Sequence, residues 1–544
     1  MCGIWGLLRS NLTFDKQIVD ACNKIKNRGP DTTIIQIMKN YIICFHRLAI
    51  NDLSSRGNQP FVISVDNYVY TLMINGEIYN HRELEKKYEI VTNTTSDCAI
   101  ILPLFLKLND DFIELNRLLR GEYGMMIIKE NKIDNSMEYF ISTDPLSVRP
   151  IFYFIDSDKY IVGVSSLLSG LSDFSNDVKR LDQGTNIIGK TDFKTYNNVL
   201  INKYHITNYD IIELKIDQLY KTIIDTLRES IIVRLESDRP LGCLLSGGLD
   251  SSLIAAIASK ELSKSGKRLR TFSIGIEGGT DLEYAKIVAN HINSDHTEFL
   301  FTPEEGLSVI DDVINATETY DITTIRASVG QFLIAKKISE MTDVKVLLNG
   351  DGADECQMGY IYFYLHPNIR DAYEERNRLL EQIHCYDGLR VDRNISYHGL
   401  EARVPFLDKE FVELYYRIDP KLLVPTKEHM EKYLIRKAFD TLEPELLPSE
   451  ILWRKKEAFS DGVSSKEKSW YLIVKEYYES KISDMKFSEK EKFNGVIPHC
   501  KESFYYRKRF EELFNDNGNV IPGYWLPKWS NTKDPSARTL NIYV

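Results

Sequence analysis

The sequence predicts two folds in one chain: an α+β domain of layered antiparallel sheets with helices, then an α/β domain built on a parallel sheet. Three observations carry this. At 544 residues the chain is too long for one hydrophobic core. Up to about residue 200 it reads mostly as short strands separated by Asn, Asp and Gly turns. From Tyr209 onward strands alternate with helices, the pattern of parallel strands joined by right-handed crossovers.

In the first half, residues 41–45, 68–74, 124–128, 139–142 and 151–154 are β-branched and aromatic runs of strand length. Helices are expected at 15–25 and 96–108. The polar stretch 197–208 is the expected linker, which sets the domains at 1–200 and 209–544. The second half opens with an amphipathic helix over 211–235. A strand (241–245), a helix (252–261), a strand (270–276), a helix (282–291) and a strand (345–348) follow. Beyond about 360 the chain is mostly helical and ends in an aromatic tail with Trp525 and Trp529. There is no internal repeat and no low-complexity segment.

Composition excludes several classes. With 43% hydrophobic and 27% charged residues, the chain carries no disorder signal. A net charge of −11 argues against nucleic acid as a partner. Apolar runs such as Ile42-Ile43-Cys44-Phe45 are too short to span a membrane, so no membrane partner is expected. Eight scattered cysteines show no CxxC spacing and no Cys/His cluster, so no zinc site is expected. No secretory apolar region follows Met1, and the expected compartment is the reducing cytoplasm.

The first candidate site begins at Cys2. Aminopeptidase removal of Met1 would leave a thiol and an α-amine on one residue. Their pKa values are close, about 8 for the amine and about 8.5 for the thiol, so the amine can serve as the thiol's own base. Asn75-Gly76-Glu77 follows a strand, and a carboxamide beside a glycine N–H can donate two hydrogen bonds to an oxyanion. Arg47 can grip an α-carboxylate with its two-pronged guanidinium. Glu77 and Asp97 can hold an α-ammonium. Together these groups describe a pocket for glutamine. Taken singly each is ordinary, since Asn-Gly is usually a turn and a lone Arg or Asp is usually solvated.

The second candidate site is Ser246-Gly247-Gly248-Leu249-Asp250-Ser251-Ser252, between an apolar strand and a helix. Glycines free backbone N–H groups, and the helix N-terminus adds its dipole, so a phosphate or pyrophosphate fits. No Gly-Lys-Ser/Thr follows, so this is not a Walker A loop. A second strand ends in Asn349-Gly350-Asp351-Gly352-Ala353-Asp354-Glu355. Two acidic loops at one sheet edge suit Mg²⁺, with Asp250 and Asp354 as its expected ligands.

Over nearly its whole length the chain resembles the glutamine-hydrolysing (class B) asparagine synthetases. In the first half the matching segments are Cys2-Gly3-Ile4, Arg28-Gly29-Pro30-Asp31, His46-Arg47-Leu48-Ala49-Ile50, Asn75-Gly76-Glu77-Ile78-Tyr79-Asn80 and Thr95-Ser96-Asp97. In the second they are the Ser246–Ser252 loop, Thr271-Phe272-Ser273-Ile274-Gly275, the stretch 399–408 and the stretch 453–462. The resemblance implies an N-terminal-nucleophile (Ntn) glutaminase domain followed by a PP-loop ATP pyrophosphatase-type synthetase domain. The implied reaction makes asparagine from aspartate, glutamine and ATP through a β-aspartyl-adenylate. These three small molecules are the expected partners, with a homodimer as the assembly considered.

By the same resemblance Arg47, Leu48, Ala49, Ile50, Asn51, Asn75, Gly76, Glu77 and Asp97 would line the glutamine pocket. Leu245, Ser246, Gly247, Gly248, Asp250, Ser251, Ile274, Asn349 and Gly350 would hold ATP. Thr323, Thr324 and Arg326, in the segment 318–328, would hold aspartate. Asp351 and Lys456 would act on the adenylate. The chain departs from the family where Asn349-Gly350-Asp351 replaces Ser-Gly-Glu, where Ala99 replaces a glutamate, and at Ser165–Gly170. Two other readings are a ligase of this type acting on a different carboxylate and a catalytically dead sensor. The Thr323-Thr324-Ile325-Arg326 segment argues against the first; intact Cys2, Asp250 and Lys456 argue against the second.

Overall fold

A computed structural model describes residues 1–8, 14–155, 161–191, 199–204, 209–456, 469–530, 532 and 534. The chain divides into two compact units. One comprises 1–206 with 396–400 and 511–520; the other comprises 207–395, 401–510 and 521–544.

The first unit holds two six-stranded antiparallel sheets. One runs Lys179–Arg180, Phe152–Ile155, Ile161–Ser165, Gly3–Leu7, Ile42–Arg47, Thr32–Ile37. The other runs Leu200–Lys203, Thr185–Thr191, Met137–Thr143, Gly121–Asn131, Tyr68–Ile78, Phe61–Val65. Ile4 and Phe45 of the first sheet share one buried apolar cluster with Met73, Met126 and Ile141 of the second. On its other face the second sheet packs Leu72, Ile74 and Ile127 against Leu102, Phe105 and Leu115 of the helices Ile101–Lys107 and Phe112–Leu118. Each such side chain contributes roughly 1.5–3 kcal/mol by leaving water. Gly3–Leu7 is buried along its whole length, whereas the edge strand Thr32–Ile37 alternates. Depth inside the layers therefore sets which strands read as continuous apolar runs.

Two expectations for this unit are corrected. The helix expected over 96–108 starts as a tight 3-10 turn, Asp97–Ile100, and becomes α-helical only at Ile101–Lys107. Asp97 accepts from Ile78 N (2.6 Å) and the Cys98 thiol donates to Gly76 O (3.3 Å), which ties the turn to a strand end before the helix can begin. The described part of the expected linker is no linker: Leu200–Lys203 is an edge strand paired with Thr185–Thr191. Residues 197–198 and 205–208 of that stretch lie outside the described residues.

The second unit is built on a five-stranded sheet in the order Asp295–Leu300, Arg270–Gly275, Leu241–Leu244, Val346–Leu348, Glu401–Arg403. Every pairing in it is parallel. The strand order reverses between Leu241–Leu244 and Val346–Leu348, the switch point where open α/β sheets bind ligands. The two outer strands Asp295–Leu300 and Glu401–Arg403 escaped the sequence reading because they are polar, DHTEFL and EAR. Glu401 and Arg403 are buried yet pair with each other at 2.9 Å, so the edge strand carries its charges as a neutral couple. The helix expected from 252 begins earlier, at Leu249–Ser263, so only 245–248 remains loop. Asp250 falls in its first turn, where a carboxylate meets the positive end of the helix dipole. The helix expected over 211–235 is α-helical only across Ile216–Ile232 and closes in a 3-10 turn, Val233–Leu235. Among the described residues no helix is long and apolar enough to cross a membrane.

Candidate active site

In the first unit Cys2 leads into the buried strand Gly3–Leu7, and its thiol donates to Leu48 O at 3.7 Å. Arg28, itself buried, donates Nε to Cys2 O at 3.0 Å. A β-carbon on Gly29 would collide with His46 O, so the turn there admits only glycine. Asp31 accepts from Ala49 N (2.9 Å) while its own N–H reaches Arg47 O (2.9 Å). The Arg28-Gly29-Pro30-Asp31 segment is thus a clamp, one end on Cys2 and the other on 47–49.

Asn75, Gly76 and Glu77 lie near the end of Tyr68–Ile78, in register with Gly124, Tyr123 and Glu122. A β-carbon on Gly76 would strike Glu122 O and the Tyr123 backbone. Asn75 is 0% exposed, and neither its Nδ2 nor its Oδ1 has a hydrogen-bond partner. Leaving a polar group buried and unpaired costs about 1–3 kcal/mol. Asn51 Nδ2 gathers the two carboxylates, donating to Glu77 Oε2 (2.6 Å) and Asp97 Oδ1 (3.3 Å). Burial pushes the Cys98 thiol well up, and the nearby Asp97, Glu77 and Cys2 add to it. These groups therefore converge on one small region.

Arg47 departs from its expected part. Its Nη1 donates to Ser54 O and Asn58 Oδ1, both at 2.7 Å, and its Nη2 to Asn51 O and Asp52 O. All four terminal N–H groups thus shape the loop 51–58, and no two-pronged grip on a carboxylate is presented. Asp52, which the sequence reading missed, anchors the same loop. It adopts a left-handed backbone (φ 53°) and accepts from Ser54 N (3.0 Å), Thr95 N (3.2 Å) and the Ser54 and Thr94 hydroxyls. Burial opposes its charge, but these bonds outweigh burial and hold the carboxyl below the usual carboxylate range. The signal was present: Asp followed two residues later by Ser is an Asx-turn sequence.

In the second unit a cavity of about 260 Å³ opens at the carboxyl ends of the strands that flank the switch point. Leu245, Ser246, Gly248, Asp250, Ser251, Ile274, Asn349, Gly350, Asp351, Asp354 and Lys456 all line it, as do Thr323 and Arg326. The loop is self-braced: Ser251 Oγ meets Ser246 N (3.2 Å) and Ser246 Oγ (3.0 Å), and Ser246 Oγ meets Gly248 N (3.3 Å). Gly247 is not on the wall. Its φ of +71° and the backbone of Tyr284 and Ala285 against it make its role conformational.

The aspartate expectation is corrected in part. Thr324 faces away from the cavity: its N–H and hydroxyl both donate to Asp321, at 2.8 Å each, in the cap of the helix Ile322–Met341. Thr323 donates to Trp525 O at 3.1 Å. Arg326 already carries two carboxylates, Glu502 (2.8 and 2.6 Å) and Asp534 (2.9 and 3.1 Å).

Two charged clusters complete the wall. Asp351 accepts from Gln331 Nε2 (3.2 Å) and from Arg390, which also pairs with Asp387 at 2.5 Å. Burial pushes the Asp351 carboxyl up, Arg390 pulls it back and Asp387 adds to the rise. The second cluster alternates in sign. Lys432 Nζ lies 2.5 Å from Asp250 and 2.6 Å from Asp354, and Lys456 pairs with the other oxygen of Asp354. Burial works against the Asp354 charge, but the two lysines prevail and hold it low. Burial likewise opposes the Lys456 charge, and Asp354 with Asp250 raises its pKa nonetheless. Lys432, Arg390, Asp387 and Gln331 had no signal in the sequence. Asp387 and Arg390, for instance, stand three residues apart on one helix, a spacing common on any helix surface.

The donors fit a hard dication. Asp250 and Asp354 meet at one nitrogen, and Asp250 Oδ1 has no partner. One or two carboxylates plus phosphate oxygens is the usual Mg²⁺ shell. Among the described residues no group of three or more His, Cys, Asp or Glu is gathered to hold a metal.

Comparison with known proteins adds a consistent finding. The glutamine amidotransferase domain family model matches residues 1–208, and the asparagine synthase model matches 222–383 and 372–533. The glutamine-hydrolysing asparagine synthetase of Rattus norvegicus is 39% identical over 569 residues, covering 100% of this chain and 99% of its own. That of Homo sapiens is also 39% identical, with the same coverage.

Proposed function

The chain belongs to the glutamine-hydrolysing asparagine synthetases, and from that premise we propose how its residues divide the work. The reaction joins ammonia released from glutamine to aspartate, driven by ATP, and gives asparagine, glutamate, AMP and pyrophosphate. We assign glutamine hydrolysis to residues 1–200 and the synthetase chemistry to 209–544.

Cys2, with its own α-amine as base once Met1 is removed, attacks the glutamine side-chain amide. Asn75 Nδ2 and the Gly76 N–H donate to the oxyanion that develops. Glu77 and Asp97, held together by Asn51, take the substrate α-ammonium. Arg47 fixes 48–51 as the wall facing the other end and sets a positive field there. One observation carries this reading most: the Asn75 carboxamide is wholly buried with no hydrogen-bond partner, at the strand end that also presents Gly76 and Glu77.

In the second unit the aspartate β-carboxylate attacks the α-phosphorus of ATP. Ser246, Gly248 and Ser251 cradle the departing pyrophosphate, and Leu245, Ile274, Asn349 and Gly350 frame the nucleoside. Thr323 and Arg326 orient the aspartate, Arg326 exchanging Asp534 for substrate. Asp351 lies beside the nascent aspartyl-adenylate, and Lys456 balances negative charge as ammonia displaces AMP. Asp250 and Asp354 would hold Mg²⁺, which supplies neutralisation of phosphate charge. We place the reaction in the cytoplasm, where a thiol nucleophile stays reduced.

The test is a product assay with ATP, Mg²⁺, aspartate and glutamine. AMP, pyrophosphate and asparagine should appear one for one. ADP with phosphate, or glutamate without asparagine, would refute the assignment.

A further inference from the structure

Lys432 is a deeply confined cation of the synthetase unit's cavity. Its side chain is 1% exposed, and its single nitrogen lies 2.5 Å from Asp250 and 2.6 Å from Asp354. Its backbone is left-handed (φ 58°), a conformation a β-carbon resists. It stands at the N-cap of the helix Tyr433–Leu442 without capping it through its side chain. Gly359 makes room for the stem, because a β-carbon there would collide with Lys432 Cε and Asp354 Oδ1. Backbone, glycine and burial all conspire to aim one ammonium between two carboxylates that otherwise suit a dication.

We propose that Lys432 holds the place of the metal between Asp250 and Asp354, and yields it only when metal and nucleotide arrive together, passing its own charge to the pyrophosphate oxygens. This rests on the adenylating function proposed above. Two carboxylates facing each other in a low-dielectric cavity repel; Lys456 salt-bridges only Asp354 of the two, and the Lys432 ammonium between them removes the repulsion that remains. A dication alone must displace the lysine from both carboxylates and brings no anion to receive it. A nucleotide-bound dication brings phosphate oxygens to receive it. Lys432 thereby makes metal binding conditional on the nucleotide and keeps free divalent ions off the site. The role is distinct from that of Lys456, which contacts Asp354 alone of the two carboxylates by salt bridge.

The experiment measures Mn²⁺ binding by electron paramagnetic resonance in the full-length protein, with and without a non-hydrolysable ATP analogue. Wild type should bind Mn²⁺ tightly only with the analogue present. Lys432→Met should bind Mn²⁺ alone on the order of 10- to 100-fold tighter than wild type does. Lys432→Met with Asp250→Asn should lose that gain. Pyrophosphate release by Lys432→Met should fall on the order of 10²-fold, because the leaving group loses a cation. Equal Mn²⁺ affinity of wild type and Lys432→Met without nucleotide overturns the proposal. If Lys432→Met lacks a cooperative melt, wild type decides alone: Mn²⁺ by itself must leave the melting temperature unchanged where Mn²⁺ with the analogue raises it. An equal rise with Mn²⁺ alone overturns the proposal. Asparagine formation by wild type is assayed in parallel. Activity with failed Mn²⁺ discrimination sinks the Lys432 role only, whereas absence of AMP and pyrophosphate sinks the adenylating function itself.

Discussion

Side chains at the two sites differ in whether the fold has already found them partners, and that difference predicts what each substitution does. Asn75 has none, so Asn75→Ala breaks no hydrogen bond of the folded protein. Glutamine hydrolysis should lose about 10²- to 10³-fold in kcat with little change in KM, since the carboxamide acts on charge that exists only in the transition state. Melting should stay near wild type. Steady-state glutaminase kinetics check this, and a raised KM with intact kcat would move Asn75 out of the oxyanion hole. Lys456 is the converse case, already bound to Asp354 in the cavity wall beside the exposed Lys455. Lys456→Ala should cut ammonium-dependent pyrophosphate release by about 10²- to 10³-fold while Lys455→Ala stays mild. Similar, near-wild-type rates for both would leave the adenylate without its lysine. Among residues, the sequence pointed to those with unusual local chemistry: Cys2 at the start, the Ser246 loop, Asn75-Gly76. It could not expose Lys432 or Gln331, whose meaning comes from partners far away in the chain. It also misjudged Arg47 and Thr324, because a sequence shows which donors exist and not which are taken.

At the scale of elements, the helix Ile322–Met341 shows how a site is held. Asp321 caps it, accepting from Thr324 N and Oγ1, and its other oxygen accepts from Trp525 N, all at 2.8 Å. The cap thus joins the segment carrying Thr323 and Arg326 to the chain that crosses it. Asp321→Ala should cost roughly 2–4 kcal/mol, from a lost cap and buried donors left unpaired. Calorimetry should show a transition several degrees lower, and aspartate KM should rise; an unchanged transition would reduce the cap to ornament. Burial raises the Asp321 carboxyl to about 6 against the pull of the Thr324 and Trp525 N–H groups. The folded value then exceeds the unfolded value of about 3.9. Its contribution to stability is therefore full below about pH 4 and lost as pH rises through 6. Compared with Asp321→Asn, wild type should gain melting temperature as pH falls from about 7 to 4.5. No gain would contradict the raised value. Elements with strong apolar runs, such as Tyr68–Ile78 and Ile42–Arg47, were legible because burial on both faces leaves a continuous signature. Asp295–Leu300 and Glu401–Arg403 were not, because edge strands are defined by the neighbour they pair with.

For the whole molecule, the break in pattern near residue 200 was legible, but the threading of the units was not. Residues 396–400 and 511–520 group with the first unit although they follow the second unit's sheet strands 241–348. Composition does not change at those returns, so nothing local marks them. The central claim is that two chemistries reside in separate sets of residues on one chain, Cys2 and Asn75 in one unit, Asp351 and Lys456 in the other. The most direct measurement is asparagine formation by Cys2→Ala with ammonium as the nitrogen source. Synthesis from glutamine should vanish, while synthesis from ammonium stays within about twofold of wild type, since one removed thiol takes no group from the second cavity. Loss of both activities in a Cys2→Ala protein that melts like wild type would contradict the account.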